Sequence, residues 1–297
     1  MNKPLQQYLK ERHSKEGARM YYANIRSFLE TMTEAKASSA KYKDIMDYIG
    51  VLRKQYSNPG TIKHKLQCVK KYYHWLIHTG QRKSHPCRYL NLKDAKNKDI
   101  QLQDLFSKEE LELLLTEREE KYPSIERRNQ VIITLLIYQA LAKRDIAGLR
   151  IKDVNLEQGT IYIKQNTVTT RRTLKLRPEQ IMLLHKYMTE DRPVLLKRNA
   201  KRTEKDKEAL LLSKTGMADD GWGVRYLVKK CRHLYPGKTL NAKTIRMSVI
   251  TNLLKEGMEL RAVQVFAGHK NTSSTEKYRQ TQVEELKKQL DKYHPLG

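Results

Sequence analysis

The sequence predicts a mainly α-helical chain with a small β-sheet, divided into two domains, and three observations predict it. Its 297 residues exceed the size at which a single hydrophobic core usually stops growing. Apolar residues recur at helical spacing through most of the chain, and period-two alternation is confined to two short stretches around residues 161 and 174. A polar run with no periodicity, Lys93 to Asp99, separates the halves as a linker would.

Charge sets the class of partner. With 59 Lys plus Arg against 33 Asp plus Glu, the formal charge is +26, an excess that repels itself unless a polyanion shares it. Basic residues recur from Lys10 to Lys292 and are not gathered in one tail, so the expected partner is nucleic acid. Cys68, Cys87 and Cys231 lie far apart and form no C-x-x-C pair, which points away from a disulfide framework or a zinc site and toward a reducing cytoplasm. The first residues lack an apolar signal core. The longest apolar run, Val131 to Tyr138 with Thr134 inside it, is too short to span a bilayer. A soluble chain with no membrane association is expected.

Element by element, residues 1–91 read as a helical domain. Tyr21, Ile25, Phe28 and Leu29 fall on one helical face, and Ile45, Ile49 and Leu52 on another. A third helix opens at Thr61, after the breaker Asn58-Pro59-Gly60, and runs through Ile62, Leu66, Val69, Tyr73 and Leu76 to a stop at Gly80. Its other face carries Lys63, Lys65, Lys70 and Lys71, read either as a solvated surface or as one that faces DNA. The linker is placed at 92–104 and the second domain at 105–297. Ser107-Lys108-Glu109-Glu110 has the form of a capping box and opens a helix with Leu111, Leu114 and Leu115 inward. An apolar helix is expected over about Arg127 to Leu141. Gly159 to Ile163 and Arg172 to Leu176 alternate as two strands, and helices resume after Pro178. Lys197 to Lys207 is almost all charged and reads as a solvated loop.

Toward the end Arg246, Gly268-His269 and Tyr278 stand in order, with an apolar helix from Ile245 to Leu254, a stop at Gly257 and a second short helix between them. The segment from Thr244-Ile245-Arg246 through Ala267-Gly268-His269 to Ser274-Thr275-Glu276-Lys277-Tyr278 resembles the signature of the tyrosine recombinase (phage integrase) family. The nine-residue step from His269 to Tyr278 is part of that likeness. The resemblance implies a helical core-binding domain and a mixed α/β catalytic domain clamped around double-stranded DNA, four protomers on two duplexes, and a C-terminal tail, about Val283 to His294, exchanged between protomers. Site-specific recombination is implied, by integration, excision or transposition of a mobile element through a 3′-phosphotyrosine intermediate, with no cofactor and no metal.

The residue types suit that chemistry. A phosphodiester repels nucleophiles, and its transition state concentrates charge on the non-bridging oxygens. Arg246 can donate a planar pair of hydrogen bonds to them while staying charged. His269 would donate beside it. Tyr278 is the nucleophile, its phenolate favoured by neighbouring cations.

The chain also departs from the family pattern. Where the family has its first arginine, in a Gly-Leu-Arg segment, this chain has Ala142; Lys143 or Arg144 is left to reach around, and Arg150 falls too late to match. Thr167 stands near the position of the hairpin lysine that protonates the leaving 5′-oxygen, with Lys164, Arg171 or Arg172 as substitutes. Arg172 also counts among the residues expected to contact DNA. Lys243 occupies the place of a common histidine, as a helper or as a plain surface residue. The losses at 142 and 167 keep open an alternative, a weak or inactive recombinase-like partner that holds DNA or another recombinase in a synaptic complex without cutting.

Overall fold

The computed structural model describes residues 4–94, 104–118, 120 and 122–279. The chain divides into two compact units, Met1–Lys98 and Asp99–Gly297. The division falls inside the segment read as a linker, most of which, with the tail after 279, lies outside the described residues. No helix among the described residues is long and apolar enough to cross a membrane.

The first unit is built from helices α1 (Leu5–Arg12), α2 (Lys15–Met32), α3 (Glu34–Ser39), α4 (Tyr42–Gln55) and α5 (Pro59–His78). Asn58 caps α5, accepting from the Gly60 amide at 2.9 Å, and Pro59 sits in the first turn where its missing N–H costs nothing. Helix α5 is the spine, packed on α1, α2 and α4. Phe28, Tyr48, Tyr72 and Tyr73 meet edge to face around it, and the Tyr73 hydroxyl donates to the Ala37 carbonyl at 2.9 Å.

The buried face of α5 is broader than its apolar spacing suggested, because Cys68 and Tyr72 are buried beside Leu66, Val69 and Tyr73. The lysines are therefore pushed to its margins and half-buried, while the exposed ridge carries His64, Gln67 and His74. Lys65 donates to Asn24 Oδ1 at 3.3 Å and lies over the Tyr56 ring; Lys70 donates to the Arg88 carbonyl at 3.1 Å. Lys63 and Lys71 donate to no described residue and keep their ammonium groups free.

The second unit opens with α6 (Lys108–Thr116), whose capping box forms as expected: Glu110 N donates to Ser107 Oγ at 3.1 Å and Ser107 N to Glu110 Oε2 at 2.7 Å. Helix α7 (Glu126–Tyr138) is the centre of the core, with Val131, Ile132, Leu135 and Leu136 fully buried against α6, α9 (Pro178–Lys186) and α13 (Ala242–Lys255). After α7 comes the short α8 (Lys143–Ala147), then an antiparallel sheet in the order β1 (Val154–Asn155), β2 (Thr160–Ile163), β3 (Arg172–Lys175). Ile163 pairs with Arg172 and Thr160 with Lys175, which turns Ile161, Ile163, Arg172 and Leu174 inward. Strand β1 is too short to show an alternation and was not expected.

Beyond α9 the chain passes through α10 (Arg192–Lys197), α11 (Glu204–Glu208) and α12 (Trp222–Lys230) to α13 and α14 (Leu260–Ala267), and a last helical stretch covers 273–279. The charged run Lys197 to Lys207 is not all solvated loop. Asp206 is buried in α11, where it accepts from the Thr203 amide and hydroxyl, both at 2.8 Å, and from the Ala218 amide at 2.7 Å; these bonds tie the run to the fold.

Candidate active site

Arg246 projects from the first turns of α13, which starts where Asn241 accepts from the Lys243 and Thr244 amides at 2.9 and 3.0 Å. Ile245, Val249 and Ile250 bury the helix, so the guanidinium is carried into the protein and is only 9% exposed. Two backbone carbonyls hold it, Ala140 accepting from Nη1 at 2.5 Å and Ala267 from Nη2 at 2.6 Å. Ala140 can offer its carbonyl because the chain turns sharply after α7: it has φ of +48°, a left-handed conformation unusual for a residue with a side chain.

Under the same site lies a buried ion pair. Asp145 of α8 accepts from Arg172 Nη2 at 2.9 Å, from Asn166 Nδ2 at 2.8 Å and from the Thr169 hydroxyl at 3.1 Å. The Arg172 guanidinium is overlain by Gly268, where a Cβ would stand 2.5 Å from Nη1; Gly268 has φ of +69° as well, so space and conformation both demand glycine. The β2–β3 loop is joined to this segment by a bridge between Thr169 and His269 and by the Thr170 amide, which donates to the Gly268 carbonyl at 2.9 Å.

His269 Nδ1 lies 2.8 Å from the hydroxyl of Thr275, which is fully buried. That hydroxyl has no other acceptor among the described residues, so it donates to Nδ1 and leaves the imidazole proton on Nε2. Burial, then the charges of Arg246 and Arg172, push the His269 pKa down to about 4, and the ring is neutral at ordinary pH. Tyr278, 9% exposed in the 273–279 helix, has its ring nearly parallel to that of His269, at 12° with 6.1 Å between centroids. Burial raises the Tyr278 pKa and Arg246 only partly opposes it, so the phenol of the unbound site is protonated, contrary to the expectation that neighbouring cations favour the phenolate. Burial, followed by repulsion from Arg172, lowers that of Arg246.

Arg246, His269 and Tyr278 are thus brought together, with Arg172 and Asp145 beneath them. Arg172 is not a surface residue: the alternation of β3 turns it inward, its side chain is 2% exposed, and Asp145 neutralises it. Lys243, Lys164 and Arg144 are exposed, and none makes a hydrogen bond or ion pair from its side chain to a described residue. Lys143 is also exposed, with its stem along Gly221, and Arg150 pairs with Glu208 at 3.1 Å. Ala142 is half-buried at the start of α8, where its amide faces Asp145 at 3.3 Å. Sequence reasoning missed the roles of Thr275 and of Asp145.

Comparison with known proteins agrees with this architecture. The sequence matches the phage integrase family over residues 104–285. It is 26% identical over 286 residues to tyrosine recombinase XerD of Oceanobacillus iheyensis, covering 93% of this chain and 91% of that protein. Tyrosine recombinase XerC of the same organism is 24% identical over 286 residues, covering 93% and 89%. Among solved structures, the XerH recombinase bound to palindromic difH substrate in a post-cleavage complex is similar with a TM-score of 0.72 at 18% identity, over 96% of this chain and 82% of that one. A λ integrase(75–356) dimer bound to a COC′ core site gives 0.69 at 13% identity, over 93% of each chain. The family match extends over more than half of the chain and takes in Arg246, His269 and Tyr278, and the chain therefore belongs to the tyrosine recombinase, or phage integrase, family.

Proposed function

We propose that this protein is an active site-specific recombinase that cuts and rejoins double-stranded DNA through Tyr278, in the integration, excision or transposition of a mobile element. The observation that carries the reading is the convergence of Arg246, His269 and Tyr278, with the Arg246 fork held by the carbonyls of Ala140 and Ala267. An arginine fixed in this way presents its remaining N–H groups without reorganisation, which is what a donor to non-bridging phosphate oxygens requires. Neutral His269, with its proton on Nε2, adds a second donor. Tyr278 attacks the phosphorus once a bound phosphate and these donors offset the cost of ionising a buried phenol. The phosphotyrosyl bond keeps the energy of the broken diester, so rejoining requires no cofactor. The relatives whose complexes contain DNA, and the +26 charge, support duplex DNA as the partner; a tetramer on two duplexes is the assembly that recombination between two sites would require.

The alternative, a partner that binds without cutting, is favoured by one feature: among the described residues the one guanidinium beside Ala142, that of Arg172, is paired with the same Asp145 oxygen that the Ala142 amide faces, while Lys143 and Arg144 are exposed. The test is incubation with nicked duplexes drawn from the DNA flanking the protein's own gene. A denaturation-resistant protein–DNA adduct, lost in Tyr278→Phe, is expected; binding with no adduct would favour the alternative.

A further inference from the structure

The β2–β3 loop, in which Thr167 stands where the family resemblance places a lysine, does not lack an ammonium group. Lys270, the residue after His269, donates from Nζ to the carbonyl of Thr167 at 3.1 Å. The loop is drawn to that segment by the Thr169–His269 bridge and by the bond from the Thr170 amide to Gly268, so the contact is part of a continuous seam. The ammonium therefore reaches the vacated hairpin position from the wall opposite, on the residue adjoining one of the phosphate donors. An ammonium has three donors, and among the described residues only one of these is engaged. The other cations near the loop fit less well. Arg172 is locked to Asp145, and the guanidinium of Arg171 does not give up its proton; Lys164 and Lys270 are both exposed, but Lys164, at the end of β2, has no described partner to aim it.

We infer that Lys270 is the general acid that protonates the leaving 5′-oxygen, an assignment that rests on the cutting activity proposed above. In cleavage, the Tyr278 oxygen bonds to phosphorus and releases its proton to water. The P–O5′ bond breaks with its electron pair on O5′, and O5′ takes a proton from Lys270 Nζ. In rejoining, the 5′-hydroxyl bonds to phosphorus, neutral Nζ takes back its proton, and the Tyr278 oxygen leaves and is reprotonated by water.

The assignment is tested with two nicked suicide duplexes, one with an ordinary diester and one with a 5′-bridging phosphorothiolate, whose thiolate leaves without needing a proton. Adduct formation by Lys270→Ala on the ordinary duplex is expected to be slower than that of the unsubstituted protein by about 100-fold or more, and on the phosphorothiolate to come within about threefold of it. Lys270→Arg, which keeps the charge but cannot give up the proton, is expected to behave like Lys270→Ala. Equal slowing on both duplexes would overturn the assignment and make Lys270 structural. Slowing and rescue confined to Lys164→Ala would overturn it in favour of Lys164. Failure of the unsubstituted protein to form a Tyr278-dependent adduct even on the phosphorothiolate would overturn the cutting activity itself, an outcome distinct from the other two.

Discussion

Arg172 on β3 and Asp145 on α8 form an ion pair with side chains 2% and 0% exposed, 2.9 Å apart, directly under the backbone of Gly268. The pair ties sheet to helix, and its cation is one of the two that depress the His269 pKa. Breaking one side of such a pair leaves an uncompensated buried charge, so Arg172→Met is expected to cost about 3–5 kcal/mol of stability. Pairing it with Asp145→Asn should recover part of that loss in chemical denaturation, because the lone carboxylate is then removed.

Gly268→Ala should be nearly as disruptive for its size. The left-handed conformation alone costs roughly 1–2 kcal/mol for a residue with a Cβ, and here that atom would meet the Arg172 guanidinium. Urea titration is expected to show a fall in midpoint larger than that for Gly237→Ala, where φ is also positive but no atom lies within 4 Å.

Thr275 sets the tautomer of His269, and Thr275→Val removes the hydroxyl at nearly constant volume. The imidazole then loses its Nδ1 partner, and cleavage is expected to fall by about tenfold, a change of roughly 1.4 kcal/mol in the barrier, with Thr275→Ser restoring it. Imidazole nitrogen shifts measured by NMR should move from a single Nε2–H form to a mixture in Thr275→Val.

Much of this was legible in the sequence, and what was missed has a common cause. The helices bearing Leu111 and Ile245 and the strands at Ile161 and Leu174 follow from local periodicity, and the set Arg246, His269, Tyr278 from the resemblance to the family signature. The burial of Arg172 does not, because it depends on Asp145, 27 residues away in sequence, meeting it across the fold. Cys68 and Tyr72 widened the buried face of α5 through contacts with other helices, so the lysines read as a free polar face became its half-buried margins. The raised pKa of Tyr278 escaped for the same reason: proximity to cations can be guessed from a motif, but burial cannot.

The depressed pKa of His269 carries a pH signature. Its value falls from 6.5 to about 4 on folding, so the folded state binds fewer protons; stability is fully present above about 6.5 and is lost as pH falls through about 4. His269→Gln is expected to reduce the fall in Tm between neutral pH and about pH 4 by roughly 2–4 °C for each kcal/mol removed. His85 in the first unit, also held down to about 4 by burial, accounts for part of the acid sensitivity that remains.

Ala142 is where activity is open to gain. Replacement of one oxyanion donor changes rates by about 10²–10³, so Ala142→Arg should speed adduct formation by tenfold or more if the arginine reaches the phosphate. Single-turnover cleavage rates, compared at saturating DNA, separate this effect from tighter binding.

The most direct measurement is to digest the covalent protein–DNA adduct and locate the linkage by mass spectrometry. A nucleotide 3′-phosphate on the peptide containing Tyr278, and on no other of the chain's 17 tyrosines, is the predicted result. A linkage at a different residue, or stable binding to the recombination site with no linkage at all, would contradict the account.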